Sequence, residues 1–166
     1  LNGDLKIENN KIANASILAK YSEKDKFFFN VKNSNNGEKI TTLYSDRAKP
    51  FVKNYKFIKG FEKGVLEFQS IKKNNTSRSV LKIDNFKVKE VPVLAKILTL
   101  ASLQGIADLL TGEGIRFTDF EMVFLNKDNL MTIDEIYAIG PAISIMMSGY
   151  IETEKLVSLK GTLVPA

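Results

Sequence analysis

The run VPVLAKILTLASLQGIADLL, residues 91–110, decides how the rest of this chain is read. Its length is close to the roughly 20 apolar residues that span a bilayer core, yet it carries Pro92, Lys96, Gln104 and Asp108. A lysine or aspartate near the middle of an inserted helix costs about 2.5 to 3.5 kcal/mol. Two such costs outweigh what the leucines contribute, so the run is expected to be a helix packed on protein. Leu94, Ile97, Leu98 and Ala101 recur at helical spacing, and Ile106, Leu109 and Leu110 continue the stripe after a break at Gly105. The helix is therefore expected to kink or split near residues 102–105. Gly112 and Gly114 supply its stop, because the residue that leaves a helix through the left-handed region is usually glycine.

On either side of this helix the dominant signal is alternation with period two, the mark of half-buried strands. Leu5 and Ile7 face a second run, residues 11–21, across an Asn9-Asn10 turn, and Ala13, Ala15, Ile17, Ala19 and Tyr21 share one side of it. Phe27, Phe29 and Val31 repeat the pattern. Asn36-Gly37 then marks a hairpin returning through residues 39–45, since both residue types tolerate positive φ. Residues 48–61 lose the alternation, and Pro50 suits a first helical turn, so a short helix and a loop are expected there. Strands resume at residues 65–72 with Leu66 and Phe68 inward. In residues 78–91, Leu81 and Ile83 fall out of step with Phe86 and Val88, and an extra residue at Asp84-Asn85 would return all four to one face. The same slip separates Phe117 from Phe120, Met122 and Phe124. Further strands are expected at residues 115–126, 129–138, 143–152 and 155–164, with a Gly140-Pro141 turn between the second and third of these. Val157, Leu159 and Leu163 share a face with Gly161.

Composition narrows the chemistry. The 166 residues suit one domain, and 44% hydrophobic content is enough for a real core. A net charge of +5 is scattered rather than blocked, and no basic and aromatic residues interleave as in an RNA-binding motif, so no nucleic-acid partner is expected. There is no cysteine and no histidine. The commonest general base and the commonest transition-metal ligand are thus both missing. Asp119 with Glu121, Asp134 with Glu135, and Glu152 with Glu154 could in principle form acid and base pairs, but no nucleophile motif accompanies them. No catalytic residue, metal ligand or cofactor is expected.

The string VPVLAKILTLASLQGIADLLTGEGIRF, followed by FEMVFLNKDNLMTIDEIYAIGPAISIMMSGYIE and closing on LVSLKGTLVPA, resembles the AsmA-like C-terminal region of large bacterial envelope proteins of the YhdP and TamB type. The helix carries L-x-x-A-S-L-x-G at residues 98–105 and L-L-x-G-x-G at residues 109–114. Phe117, Gly140-Pro141, Gly149 and the closing GTLVPA also match, and Ser45-Asp46 and the glycines before Leu66 fit more loosely. Gly64 stands where the family often has a glycine pair, and Met146-Met147 replaces a smaller polar pair.

The resemblance implies a mainly β fold with an inserted kinked helix (α+β). Its body is a curved antiparallel sheet bent like a taco around an apolar groove and forming part of a longer repetitive β-structure. One segment would cover residues 1–166, with N-terminal strands over 1–91, the kinked helix over 92–114 and C-terminal strands over 115–166. It further implies a periplasmic protein tethered to the inner membrane through a segment outside this chain. The implied partners are phospholipid, the rest of the same long chain, and inner- and outer-membrane proteins. The implied task is passage of phospholipid from inner to outer membrane. Independently of any family, an acyl methylene gains about 0.8 kcal/mol on burial, so a lipid leaves a bilayer only if its carrier covers the tails. Strands that are apolar on one face could provide that cover.

The residues expected to touch lipid are Phe27, Phe29, Phe68, Ile83, Phe86, Val88, Phe120, Met122, Phe124, Ile133, Ile145 and Leu159. Those expected to form a helical plug or gate are Leu94, Ile97, Leu98, Ile106, Leu109 and Leu110. The contrasting expectation is a structural or docking module of the cell envelope, non-enzymatic, whose sheet is fully packed and whose edge strands pair with a partner.

Overall fold

The computed structural model describes residues 2–20, 22–53, 58–152 and 155–166. Among them ten strands form one antiparallel sheet in sequence order: β1 (Asn2–Glu8), β2 (Lys11–Lys20), β3 (Lys26–Asn33), β4 (Glu38–Ser45), β5 (Lys59–Lys73), β6 (Thr76–Lys89), β7 (Ile115–Lys127), β8 (Leu130–Ile139), β9 (Ile143–Glu152) and β10 (Leu156–Pro165). The sheet is curved and unclosed, with β1 and β10 as its two free edges. Helices α1 (Lys49–Val52), α2 (Pro92–Leu100) and α3 (Gln104–Thr111) complete the described elements.

An up-and-down order places alternate connections at opposite ends of the strands. At one end the links are short, and several use asparagine or aspartate where the backbone is left-handed: Asn9 and Asn10 (φ 51° and 58°), Asn74 (φ 54°) and Asp128 (φ 56°). These short polar side chains tolerate that region better than other non-glycine residues. The expected Asn36-Gly37 hairpin is present, with Gly37 at φ 74° and its N–H donating to the Ser34 carbonyl at 3.2 Å. At the opposite end lie the two long connections. One carries α1 and the other α2 and α3, and both fold back on the same face of the sheet.

The helical run splits where the sequence predicts. α2 stops at Leu100, Ser102 adopts φ 59°, and α3 restarts at Gln104. The Leu103 N–H donates to the Leu98 carbonyl at 2.8 Å across the break. Gly114 rather than Gly112 takes the left-handed conformation, φ 92°, and its N–H closes α3 on the Leu109 carbonyl at 2.7 Å. No helix of the described residues is long and apolar enough to cross a membrane.

Two expectations need correction. The helix expected within residues 48–61 is a single turn, Lys49–Val52, and Phe61 already belongs to β5; residues 54–57 lie outside the described set. Tyr21, expected on the inner side of β2, also lies outside it. Nor is a residue inserted at Asp84-Asn85, because the β6–β7 register runs unbroken from Thr76 opposite Lys127 to Val88 opposite Ile115. Asn85 adopts φ 52°, and β7 changes phase at the same level, so Phe86 and Phe117 remain opposite one another on the core face. The register shifts elsewhere instead: between β1 and β2 at Lys6-Ile7, in β5 between Lys59 and Glu62, and in β8 at Asp134-Glu135, where pairing with both β7 and β9 shifts and Ile133 and Ile136 come to the same face.

The core lies between the helices and this face. Leu98, Leu110, Ile115 and Ile143 are fully buried, joined by Ala48, Val52, Phe61, Leu66, Ile83, Phe86, Val88, Phe117 and Ile145. Phe86 is its centre, stacked on Phe61 and Phe117 with ring centroids 5.3 and 5.5 Å away, and edge-on to Phe120 at 6.2 Å.

At the loop between β4 and β5, the Tyr44 hydroxyl donates to Asp46 Oδ1 at 2.5 Å and the Lys26 backbone N–H donates to Oδ2 at 2.7 Å. These two bonds, Tyr44 first, hold the Asp46 carboxyl below its ordinary value. A depressed carboxyl stabilises the fold above its unfolded value, near 3.8, and that contribution is lost as pH falls through the lower folded value. Melting temperatures of the parent chain and the Asp46→Ala variant are therefore expected to converge as pH drops from 6 to about 2. A constant gap over that range would remove Asp46 from the acid response.

Candidate ligand-binding face

Cross-strand pairs in an antiparallel sheet point to the same side, so the register places side chains in rows that run across the strands. One row reads Ile17, Phe29, Leu43, Phe68, Leu81, Met122, Ile136 and Met147, and ends at Gly161 on β10. It is apolar from β2 to β9. The next row toward the helices reads Ala19, Phe27, Ser45, Leu66, Ile83, Phe120, Ala138, Ile145 and Leu163. With strands about 4.8 Å apart, ten of them extend for about 43 Å.

The helices divide this face. Ile83, Phe86, Val88 and Ile145 are buried within the core that α1, α2 and α3 cover, so their contacts are with protein. Ile133 is also buried, beside the β8 irregularity. Phe27 is half-buried and stacks on Phe51 of α1, with ring centroids 5.9 Å apart. Phe29, Phe68, Phe120, Met122 and Phe124 are half-buried on the same face, and Leu159 is exposed on the edge strand. All twelve residues expected to touch lipid thus share one side of the sheet, but only part of that side is open. Leu98 and Leu110 are the fully buried anchors of the helical cover, Leu94, Ile106 and Leu109 pack against the core, and Ile97 is half-buried. Leu43, Ile136 and Met147 belong to the half-buried row, of which Leu43, Phe68, Leu81 and Met147 pack against the core, and they cannot be picked out by alternation alone. Their place follows only from the cross-strand register.

The apolar character of the face ends before the short turns do. One row beyond Leu43, Phe68 and Leu81 come Thr41, Ser70 and Ser79, beside Phe124 of β7. Ser79 is 2% exposed and shares a hydrogen bond with Ser70 at 2.9 Å. One row further stand Asn33, Lys39, Lys72, Ser77 and Asn126. The rows therefore grade from aromatic core, through aliphatic surface, to hydroxyl and ammonium groups along the strand direction.

The opposite face is mixed: its depression between β4 and β7 is open to solvent and lined by Thr42, Leu43, Tyr44, Glu67, Phe68, Gln69, Val80, Lys82 and Glu121, and the exposed side chains of Leu18, Ile71 and Met146 stand on the same side. The candidate carboxylate pairs are held by neighbours: Glu121 by Lys82 at 3.4 Å, Asp134 by Arg78 at 2.8 Å and Glu152 by Lys155 at 3.3 Å. Asp119 accepts from the Thr118 hydroxyl at 2.7 Å, and Glu154 lies outside the described residues. Comparison with family models, curated proteins and solved structures returns no match for this chain.

Proposed function

We propose that this chain is a non-enzymatic segment of a bridge-like lipid-transfer protein whose apolar sheet face shields phospholipid acyl chains during passage from inner to outer membrane. The observation that carries the reading is the unbroken apolar row from Ile17 to Met147, which no helix of the described residues fully buries. A half-buried surface of that length on an unclosed sheet suits a groove for acyl chains, where each methylene removed from water contributes about 0.8 kcal/mol. The resemblance of residues 91–166 to the AsmA-like region adds the setting, a periplasmic body tethered through a segment outside this chain.

The free edges support a longer sheet. Leu5 (61% exposed), Ile7 (59%) and Val157 (61%) are large apolar side chains on β1 and β10, beside unpaired backbone donors and acceptors that invite further strands. The same edges would serve a docking module, which is the alternative reading.

Native mass spectrometry of the purified chain separates the two. Stoichiometric phospholipid is expected, and Met122→Asp, placed in the middle of the half-buried row, is expected to lower its retention about a hundredfold, because a buried carboxylate costs about 2.5 to 3.5 kcal/mol. Circular dichroism should show the strand content retained. A lipid-free chain that assembles through its edges would overturn the lipid reading and support docking.

A further inference from the structure

The polar end of the apolar face has chemistry of its own. Lys39 and Lys72 are directly opposite one another on β4 and β5, with Ser77 and Asn126 continuing their row on β6 and β7. Like charges placed directly across a strand pair repel. Among the described residues neither ammonium takes part in an ion pair. An anion lying between them would turn that repulsion into two charge-assisted hydrogen bonds. The row above adds donors, since two serine hydroxyls that share one bond, Ser70 and Ser79, have a second hydrogen to offer.

The distance along the strands fits an amphiphile. From Lys72 to Phe68, the last half-buried residue of β5 before the core, is about 14 Å at about 3.4 Å per residue, close to the thickness of about 15 Å of one leaflet of a bilayer's hydrocarbon core. From Leu66 onward the helices and the Phe86 cluster close the face. We infer that Lys39 and Lys72, aided by Ser77 and Asn126, bind the phosphate of a glycerophospholipid whose tails run along Phe68, Leu81 and Met122 toward the helices. The inference rests on the lipid-carrier reading and deepens it. Headgroups then emerge at the end of the sheet with short turns, and the helix-covered end is closed to them.

The test measures equilibrium binding of three probes to the chain: a phosphatidylglycerol, the diacylglycerol with the same tails, and glycerol 3-phosphate. Phosphatidylglycerol is expected to bind about tenfold or more tighter than diacylglycerol, as charge-assisted bonds imply, and glycerol 3-phosphate only weakly. In the Lys39→Gln/Lys72→Gln double variant the preference for phosphatidylglycerol should vanish while diacylglycerol affinity stays unchanged. Salt should erode the preference in the parent chain, because the two lysines are not deeply buried. Binding of neither lipid would sink the carrier reading itself. Binding of both lipids with no preference, a preference that survives the double substitution, or equal loss of both lipids in the variant would overturn the phosphate site and leave the carrier reading standing. Glycerol 3-phosphate binding as tightly as phosphatidylglycerol would assign a site for soluble anions instead. Lys72→Gln alone, with an unchanged melting temperature, guards against a folding artefact in the double variant.

Discussion

Phe86→Ala is expected to destabilise the chain by about 3 to 5 kcal/mol, the range for truncating a buried aromatic ring. Phe86 is 6% exposed and touches three other rings, Phe61 on β5 and Phe117 and Phe120 on β7. Each well-oriented aromatic pair adds about 0.5 to 1.5 kcal/mol beyond the area it buries. The surroundings cannot readily collapse into the space, because Phe117 is paired with Phe86 in the β6–β7 ladder, Phe61 is itself buried in the core, and the helices above are anchored by Leu98 and Leu110. Phe86→Leu leaves most of the volume filled and should cost considerably less. Urea unfolding at constant m-value measures both, and a loss below about 1 kcal/mol for the alanine variant would show that this cluster is not the energetic centre of the fold.

Gly64→Val is expected to cost about 2 to 4 kcal/mol, from two separable causes. The backbone at Gly64 has φ 90°, a conformation that side chains make unfavourable. A Cβ there would also stand 3.1 Å from Ile83 Cγ2, 3.1 Å from Phe86 Cβ and 3.2 Å from Ala48 Cβ. This close approach lets α1 settle on the sheet, where the Ala48 N–H donates to the Gly64 carbonyl at 2.9 Å. Gly37 provides the control, since its φ is 74° but nothing lies within 4 Å of an added Cβ. Gly37→Ala should therefore show the conformational cost alone, about 1 to 2 kcal/mol, and Gly64→Ala distinctly more. Equal losses at the two sites would mean that the contact with α1 contributes nothing.

Much of the strand plan is legible from local pattern. Residues 143–152, read as a strand after the Gly140-Pro141 turn, form β9 with those same bounds, and the Asn9-Asn10 turn and the break after Leu100 fall where local chemistry places them. These features depend on neighbours within a few residues, which is the range over which side-chain period, left-handed tolerance and helix propensity act. β5 is less legible because its first residues, Lys59–Phe61, are separated from the alternating run by Lys63 at φ 62° and Gly64 at φ 90°. Two left-handed residues in succession break the period that would identify the strand.

The slip at Asp84-Asn85 marks the limit of local reading most clearly. One strand's sequence reveals that its phase changes, but whether a residue is inserted depends on the partner, and β7 changes phase at the same level. The phenylalanines pose the same problem. Phe68, Phe86 and Phe124 all alternate inward, yet Phe86 is sealed under the helices while the other two stay half-open. Sequence alone determined which side of each strand is apolar, because that follows from a two-residue period. The tertiary structure decided which part of that side is core, which part is left half-buried, and that Lys39 faces Lys72 at its polar end. Those outcomes depend on where the two long connections fold back and on how ten strands align, both set by contacts between residues far apart in the chain.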